Sequence, residues 1–127
     1  MPRRNGSSRP GLRVLIVDDY HDGAESLSML LGYLDYDAKF ATDPLAALDM
    51  VSDWSPQVAL IELHMHKMSG CDFASKLLQR VNQLPMLIAL TGFLRTAERE
   101  AARAAGFRYV LFKPVELDQL KRILDSV

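Results

Sequence analysis

The chain has 127 residues, of which 49% are hydrophobic and 24% charged, with a formal net charge of -1. That length suffices for one compact domain with one core and is too short for two, and the near-neutral balance gives no global attraction to nucleic acid or to an acidic membrane surface. The single cysteine, Cys71, excludes a disulfide within these residues and fits a reducing, cytoplasmic setting, and no apolar run reaches the length needed to cross a bilayer.

In chain order, residues 1–11 carry Arg3, Arg4 and Arg9 among Pro, Gly and Ser. This composition predicts a disordered lead-in arm rather than a secretory leader, followed by one domain over 12–127. Val14 to Val17 is the first of four short, wholly apolar runs, the others being Val58 to Ile61, Met86 to Leu90 and Tyr109 to Phe112. Runs of this kind predict strands buried on both faces. Asp37 to Ala41 alternates instead, with Lys39 between Ala38 and Phe40, and predicts a half-exposed edge strand.

Helical patterns fill the gaps. Leu27, Leu30, Leu31 and Leu34 mark one helix face, with Asp22 and Glu25 expected as a capping box. Asp43-Pro44 predicts an N-cap with proline in the first helical position, opening a helix with Leu45, Leu48 and Val51 inward. Phe73, Leu77 and Val81 mark a third helix, and an Ala-rich fourth is expected to be capped by Thr96 and to end at Gly106. Leu117, Leu120 and Leu124 mark the fifth. Five alternations of strand and helix imply an α/β fold: a five-stranded parallel sheet, doubly wound, with helices on both faces. With the weak strand second and at an edge, the order is 2-1-3-4-5, and the winding reverses outside the carboxyl ends of strands one and three.

The polar residues fall at that reversal. Asp18 and Asp19 end the first strand, Glu62 the third, Thr91 the fourth and Lys113 the fifth. Three gathered carboxylates repel one another, so they need a cation or Lys113 for compensation. A hard divalent ion such as Mg2+ suits oxygen ligands. A phosphoryl group suits the remainder, its oxygens neutralised by metal and Lys113 and hydrogen-bonded by Thr91.

Val14-Leu-Ile-Val-Asp-Asp19, Glu62-x-x-Met65-x-x-Met68-Ser-Gly70, Leu90-Thr-Gly92 and Phe112-Lys-Pro114 together resemble the motifs of response-regulator receiver domains, from about Arg13 to the end. Ala105-Gly-Phe followed by Lys113-Pro-Val is similar to receivers of hybrid sensor kinases. The resemblance implies a flavodoxin-like receiver fold and Mg2+-dependent transfer of a phosphoryl group from a kinase histidine to an aspartate. Output then follows from altered partner binding, with no independent enzymatic activity. By position it makes Asp18 and Asp19 the acidic metal site, joined by Glu62 and the backbone carbonyl of His64. Thr91 becomes the switch hydroxyl, Lys113 the phosphate-pairing lysine, and the bond before Pro114 cis. Expected partners are a histidine kinase or another signalling protein, without direct contact to nucleic acid or membrane.

The chain departs from the pattern at several positions. The acceptor aspartate of the resemblance falls three residues before Met65, where this chain has Glu62, one methylene longer; the nearest aspartate, Asp72, lies beyond Gly70. That extra reach moves the nucleophilic oxygen by roughly 1 Å and predicts poor phosphorylation. It also lets Glu62 pair with Lys113 and accept from Thr91, a partial imitation of the modified state with one negative charge. Mg2+ is then weakened or dispensable. A working phosphoreceiver that uses Glu62 or a neighbour is the alternative. Val110 stands where an aromatic or His is common, so the usual coupling of a ring to the threonine is lost, and Tyr109 is expected to pack against a helix. His66 stands where proline is usual. With His64 and His21 it is expected on a loop near the acidic site, either exposed or binding a transition metal. Cys71, near a helix start, is either an acidified thiol or a small buried hydrophobe. Arg95, Arg99 and Arg103 form a basic ridge on the fourth helix. An Asp-x-Asp phosphatase motif and a Gly-rich phosphate loop are both absent from this sequence.

Overall fold

The computed structural model describes residues 7–127. The elements alternate without exception: β1 (Arg13–Val17), α1 (His21–Tyr33), β2 (Asp37–Ala41), α2 (Pro44–Trp54), β3 (Val58–Glu62), α3 (Gly70–Arg80), β4 (Met86–Thr91), α4 (Thr96–Ala104), β5 (Phe107–Phe112) and α5 (Leu117–Asp125). All pairings are parallel and the order is β2-β1-β3-β4-β5. Fold class and strand order are as the alternation of apolar runs predicts.

Strand residues alternate between two cores because successive side chains point to opposite faces. Leu15, Val17, Ala59, Ile61, Leu87 and Ala89 face α2, α3 and α4, where Leu48, Phe73, Leu77 and Ala102 close the layer. Val14, Ile16, Leu60, Ile88, Leu90 and Leu111 face α1 and α5, against Leu31, Leu120 and Leu124. Tyr109 packs into this second core and Val110 against the first, so the two residues do lie on opposite faces of β5. Strand β2 is half-exposed at the sheet edge, as its alternation predicts. A register shift at Leu87/Ile88 skips Arg108, which points outward.

Several local expectations are corrected. No Asp22–Glu25 capping box forms: α1 starts at His21, with Tyr20 as its N-cap and no side-chain cap. The chain enters that helix through Asp18 instead, whose Oδ1 accepts from the Tyr20 backbone N–H at 3.0 Å. Thr96 is the first helical residue of α4, not its cap; Arg95 is the N-cap, and the Glu98 carboxylate accepts from its N–H. Leu30 turns outward while Leu31 and Leu34 are buried. Asp43 caps α2 as predicted, accepting from Leu45 N–H, and Gly106 follows α4 at φ +104°, the left-handed position glycine favours.

Of the expected 1–11 arm, residues 1–6 lie outside the described residues. Ser7 to Gly11 is tied to the domain, with Ser7 N–H donating to Leu34 O and Gly11 N–H to Asp35 O. The Ser7 hydroxyl also donates to Asp125, which accepts from Tyr36 and Lys121 as well. Burial and this carboxylate push the Tyr36 phenol up to about 12.

Gly70 sets how closely α3 approaches the end of β3. A Cβ there would stand 2.7 Å from the Glu62 carbonyl oxygen and 2.9 Å from Leu63 Cα, both backbone atoms that cannot step aside. Gly32, in α1, has nothing within 4 Å of a built Cβ. Urea unfolding should therefore separate the two: Gly70→Ala lowers stability by about 1–3 kcal/mol through overpacking. Gly32→Ala raises it by about 0.5–1 kcal/mol, because an unhindered helical glycine costs backbone entropy.

Candidate functional site

The sheet register brings the polar strand ends together. Val17 pairs with Ile61, Glu62 with Leu90 and Thr91 with Phe112, so Asp18, Glu62, Thr91 and Lys113 stand side by side at one edge. The Lys113 N–H donates to the Thr91 carbonyl at 2.8 Å, which fixes the start of the final turn. The Lys113–Pro114 bond is cis, as the sequence resemblance implied. Asp18, Glu62 and Thr91 are buried, and burying carboxylates demands partners.

Lys113 supplies the partner. Its Nζ lies 2.6 Å from Asp18 Oδ2 and 2.7 Å from Glu62 Oε1, so one ammonium bridges two carboxylates. Burial alone would lower the Lys113 pKa, but these two carboxylates hold it above the ordinary value. The remaining oxygens are also engaged: Asp18 Oδ1 by Tyr20 N–H, and Glu62 Oε2 by the His64 backbone N–H at 3.1 Å. Asp19 sits to one side. Its Oδ2 accepts from both the backbone N–H and the ring Nδ1 of His66, each at 2.8 Å. Burial would raise the Asp19 pKa, but the His66 bonds and charge hold it below the usual carboxylate range.

Thr91 does not meet the expectation that Glu62 would accept from it. Its hydroxyl donates to the Phe93 carbonyl at 2.6 Å and lies 3.0 Å from His64 Nδ1. The His64 ring stacks on Phe93, with centroids 4.6 Å apart and planes 8° from parallel, and its Nε2 is paired with Glu98 of α4. That pairing is the first cause of a lowered Glu98 pKa. No periodicity in the sequence encodes this ring contact, because Glu98 stands on a separate helix.

Other expectations divide. His21 is not on a loop at the acidic edge: it is the first residue of α1, edge-on to Phe40 and near Asp22 and Glu25. Cys71 is half-buried against the first core, and its thiol is not acidified: burial first, then Asp72 and Glu98, push it up. Arg95, Arg99 and Arg103 are exposed along α4. Among the described residues no group of three His, Cys, Asp or Glu side chains is placed to hold a metal ion.

Comparison with known proteins gives the family of the chain. The response regulator receiver domain model matches residues 14–125. The chain is 34% identical over 116 residues to the sensor protein EvgS of Escherichia coli (strain K12), covering 91% of this chain and 10% of that protein. It is 31% identical to the sensor histidine kinase RcsC of Salmonella typhi, covering 95% and 13%. It is 32% identical to the response regulator MprA of Mycobacterium avium (strain 104), covering 86% and 47%. Among solved structures, Vibrio cholerae chemotaxis protein CheY4 superposes with a TM-score of 0.84 at 24% identity, covering 92% of this chain and 98% of that one. A CheY-like receiver domain from Methylobacillus flagellatus gives 0.78 at 27% identity, covering 91% and 98%. This chain belongs to the response regulator receiver family, whose members are in general signalling modules rather than enzymes. It spans less than half the length of the curated relatives named above. Among the described residues, no helix is long and apolar enough to cross a membrane.

Receivers generally bind Mg2+ in their acidic pocket. The donor set here, hard carboxylate oxygens, has the right chemistry, and most of those oxygens already hold a partner. Both oxygens of Asp18 and of Glu62 accept from N–H groups, and one oxygen of Asp19 accepts from two.

Two of the shifted groups, Asp19 and Lys113, give the carboxyl edge its pH dependence. Asp19 has a folded pKa below its ordinary 3.8, so its contribution to stability is present above that value and is lost as pH falls through the lowered one. Lys113 has a folded pKa above 10.5, so its contribution is present below that value and is lost as pH rises through the raised one. Urea midpoints measured across pH at constant ionic strength should fall at both ends, and Asp19→Asn should flatten the acid limb alone.

Proposed function

We propose that this chain is a degenerate receiver of a two-component or phosphorelay pathway, in which Glu62 takes the phosphoacceptor position. It works as a phosphorylation-independent protein-interaction module. The observation that carries this reading is the position of the Glu62 carboxylate, 2.7 Å from Lys113 Nζ. In the family pattern that lysine pairs with the incoming phosphoryl group. Here it is already engaged by the residue that would be modified.

Two physical arguments support the loss of transfer. The extra methylene displaces the attacking oxygen by roughly 1 Å, and misplacement of that size costs about a hundredfold where chemistry depends on alignment. A carboxylate oxygen held by an ammonium is moreover a poorer nucleophile than one that is free. Imitation of the phosphorylated state is partial. The lysine contact is present, but Glu62 brings one negative charge against the roughly two of a phosphoryl group, and the Thr91 hydroxyl is turned to Phe93 and His64.

In this reading Asp18, Asp19, Glu62 and the His64 carbonyl are the remnant of the family's cation site. Mg2+ is weakened or dispensable there, because Lys113 serves as the internal cation. The relatives named sensor kinases and response regulators support a histidine kinase or another signalling protein as partner, in the cytoplasm. In the same reading the chain makes no direct contact with nucleic acid or a membrane and has no catalytic activity of its own.

Incubation with a small phosphodonor and Mg2+, followed by intact mass, tests the reading. The protein as it stands should gain no stable phosphoryl group, while Glu62→Asp should gain one at a rate higher by about a hundredfold or more. A stable adduct on the unmodified sequence, lost in Glu62→Gln, would show a working phosphoreceiver instead.

A further inference from the structure

We propose that His66 is an internal competitor for the cation position and that, alongside Lys113, it weakens the binding of a divalent ion by this receiver. The inference rests on the reading of Asp19 as a cation ligand and goes beyond it by naming the residue that occupies one of its two oxygens. Asp19 Oδ2 accepts two N–H groups of one residue, the backbone and ring Nδ1 of His66, both at 2.8 Å. A carboxylate oxygen has two lone-pair directions, so that oxygen is saturated. A hard cation approaching it meets two donor hydrogens.

The effect is local to His66. Lys113 bridges Asp18 and Glu62 and is not hydrogen-bonded to Asp19. Shortening Glu62 therefore leaves Asp19 held as before. The side chain of His66 is 96% exposed, so its removal disturbs no packing and acts through Asp19 alone. The two donors are also separable. Alanine removes the ring and keeps the backbone N–H, whereas proline removes both because it has no N–H.

Titration of the purified protein with Mg2+, followed by NMR amide shifts and by calorimetry, tests this. His66→Ala should bind Mg2+ about tenfold more tightly than the parent, the scale of one charge-assisted hydrogen bond no longer competing, and His66→Pro more tightly still. Glu62→Asp should leave the gain from His66→Ala intact, because it does not touch the Asp19–His66 contacts. Asp19→Asn added to His66→Ala should abolish the gain. Equal Mg2+ affinity in the parent and His66→Ala, no measurable binding in either, or a gain that survives Asp19→Asn would overturn the proposal. His66→Ala decides the matter if the proline variant does not fold. Because both proteins keep Glu62, failure here is distinct from failure of the phosphoryl-transfer reading, which shows only in the mass measurement.

Discussion

The ion triplet of Lys113 with Asp18 and Glu62 is the constraint on which the rest of the carboxyl edge depends. Two buried carboxylates at neighbouring strand ends repel, and a low-dielectric setting magnifies that repulsion. The parallel register leaves the sheet no freedom to separate them, since Val17 is paired with Ile61 along the whole of β1 and β3. One ammonium placed between both anions, at 2.6 and 2.7 Å, resolves the conflict from within the chain. Removing it would leave uncompensated buried charge, the situation in which ion pairs matter most to stability.

In the reading proposed, the chain's own side chains stand around this triplet in place of the usual partners of a phosphoryl site. Glu62 occupies Lys113, His66 occupies Asp19, and His64 reaches Thr91 and Glu98 while stacking on Phe93. Val110 has no ring to follow the threonine, and the aromatic contacts of Thr91's surroundings come instead from the β3–α3 and β4–α4 loops. The link from the acidic edge to α4 therefore runs through His64 and Glu98 rather than through β5. An interaction module of the kind proposed has its α4 surface, with Arg95, Arg99 and Arg103, set by these standing contacts.

Much of the fold was legible in the sequence because its signals are local and redundant. Four apolar runs, one alternating run and the caps at Asp43 and Gly106 place strands, edge and order with little competition from other readings. The helix starts at Tyr20 and Arg95 were not legible, because a carboxylate from the preceding strand and a glutamate within the helix serve the orphan N–H groups, instead of the Ser, Thr or Asp nearest the boundary. At the site, the meeting of Asp18, Glu62, Thr91 and Lys113 follows from strand-end positions alone. The orientation of Thr91 and the contacts of His64 and His66 do not, since irregular loops carry no period and a hydroxyl chooses among acceptors that only the folded backbone presents.

A double-mutant cycle on stability between Glu62→Gln and Lys113→Met measures the central claim most directly. The account predicts a coupling of at least about 1 kcal/mol, since each single change strips a partly buried charge of a partner it touches. Additive effects, equal within about 0.3 kcal/mol, would mean that the two groups do not interact, and that the internal salt bridge does not hold this site together.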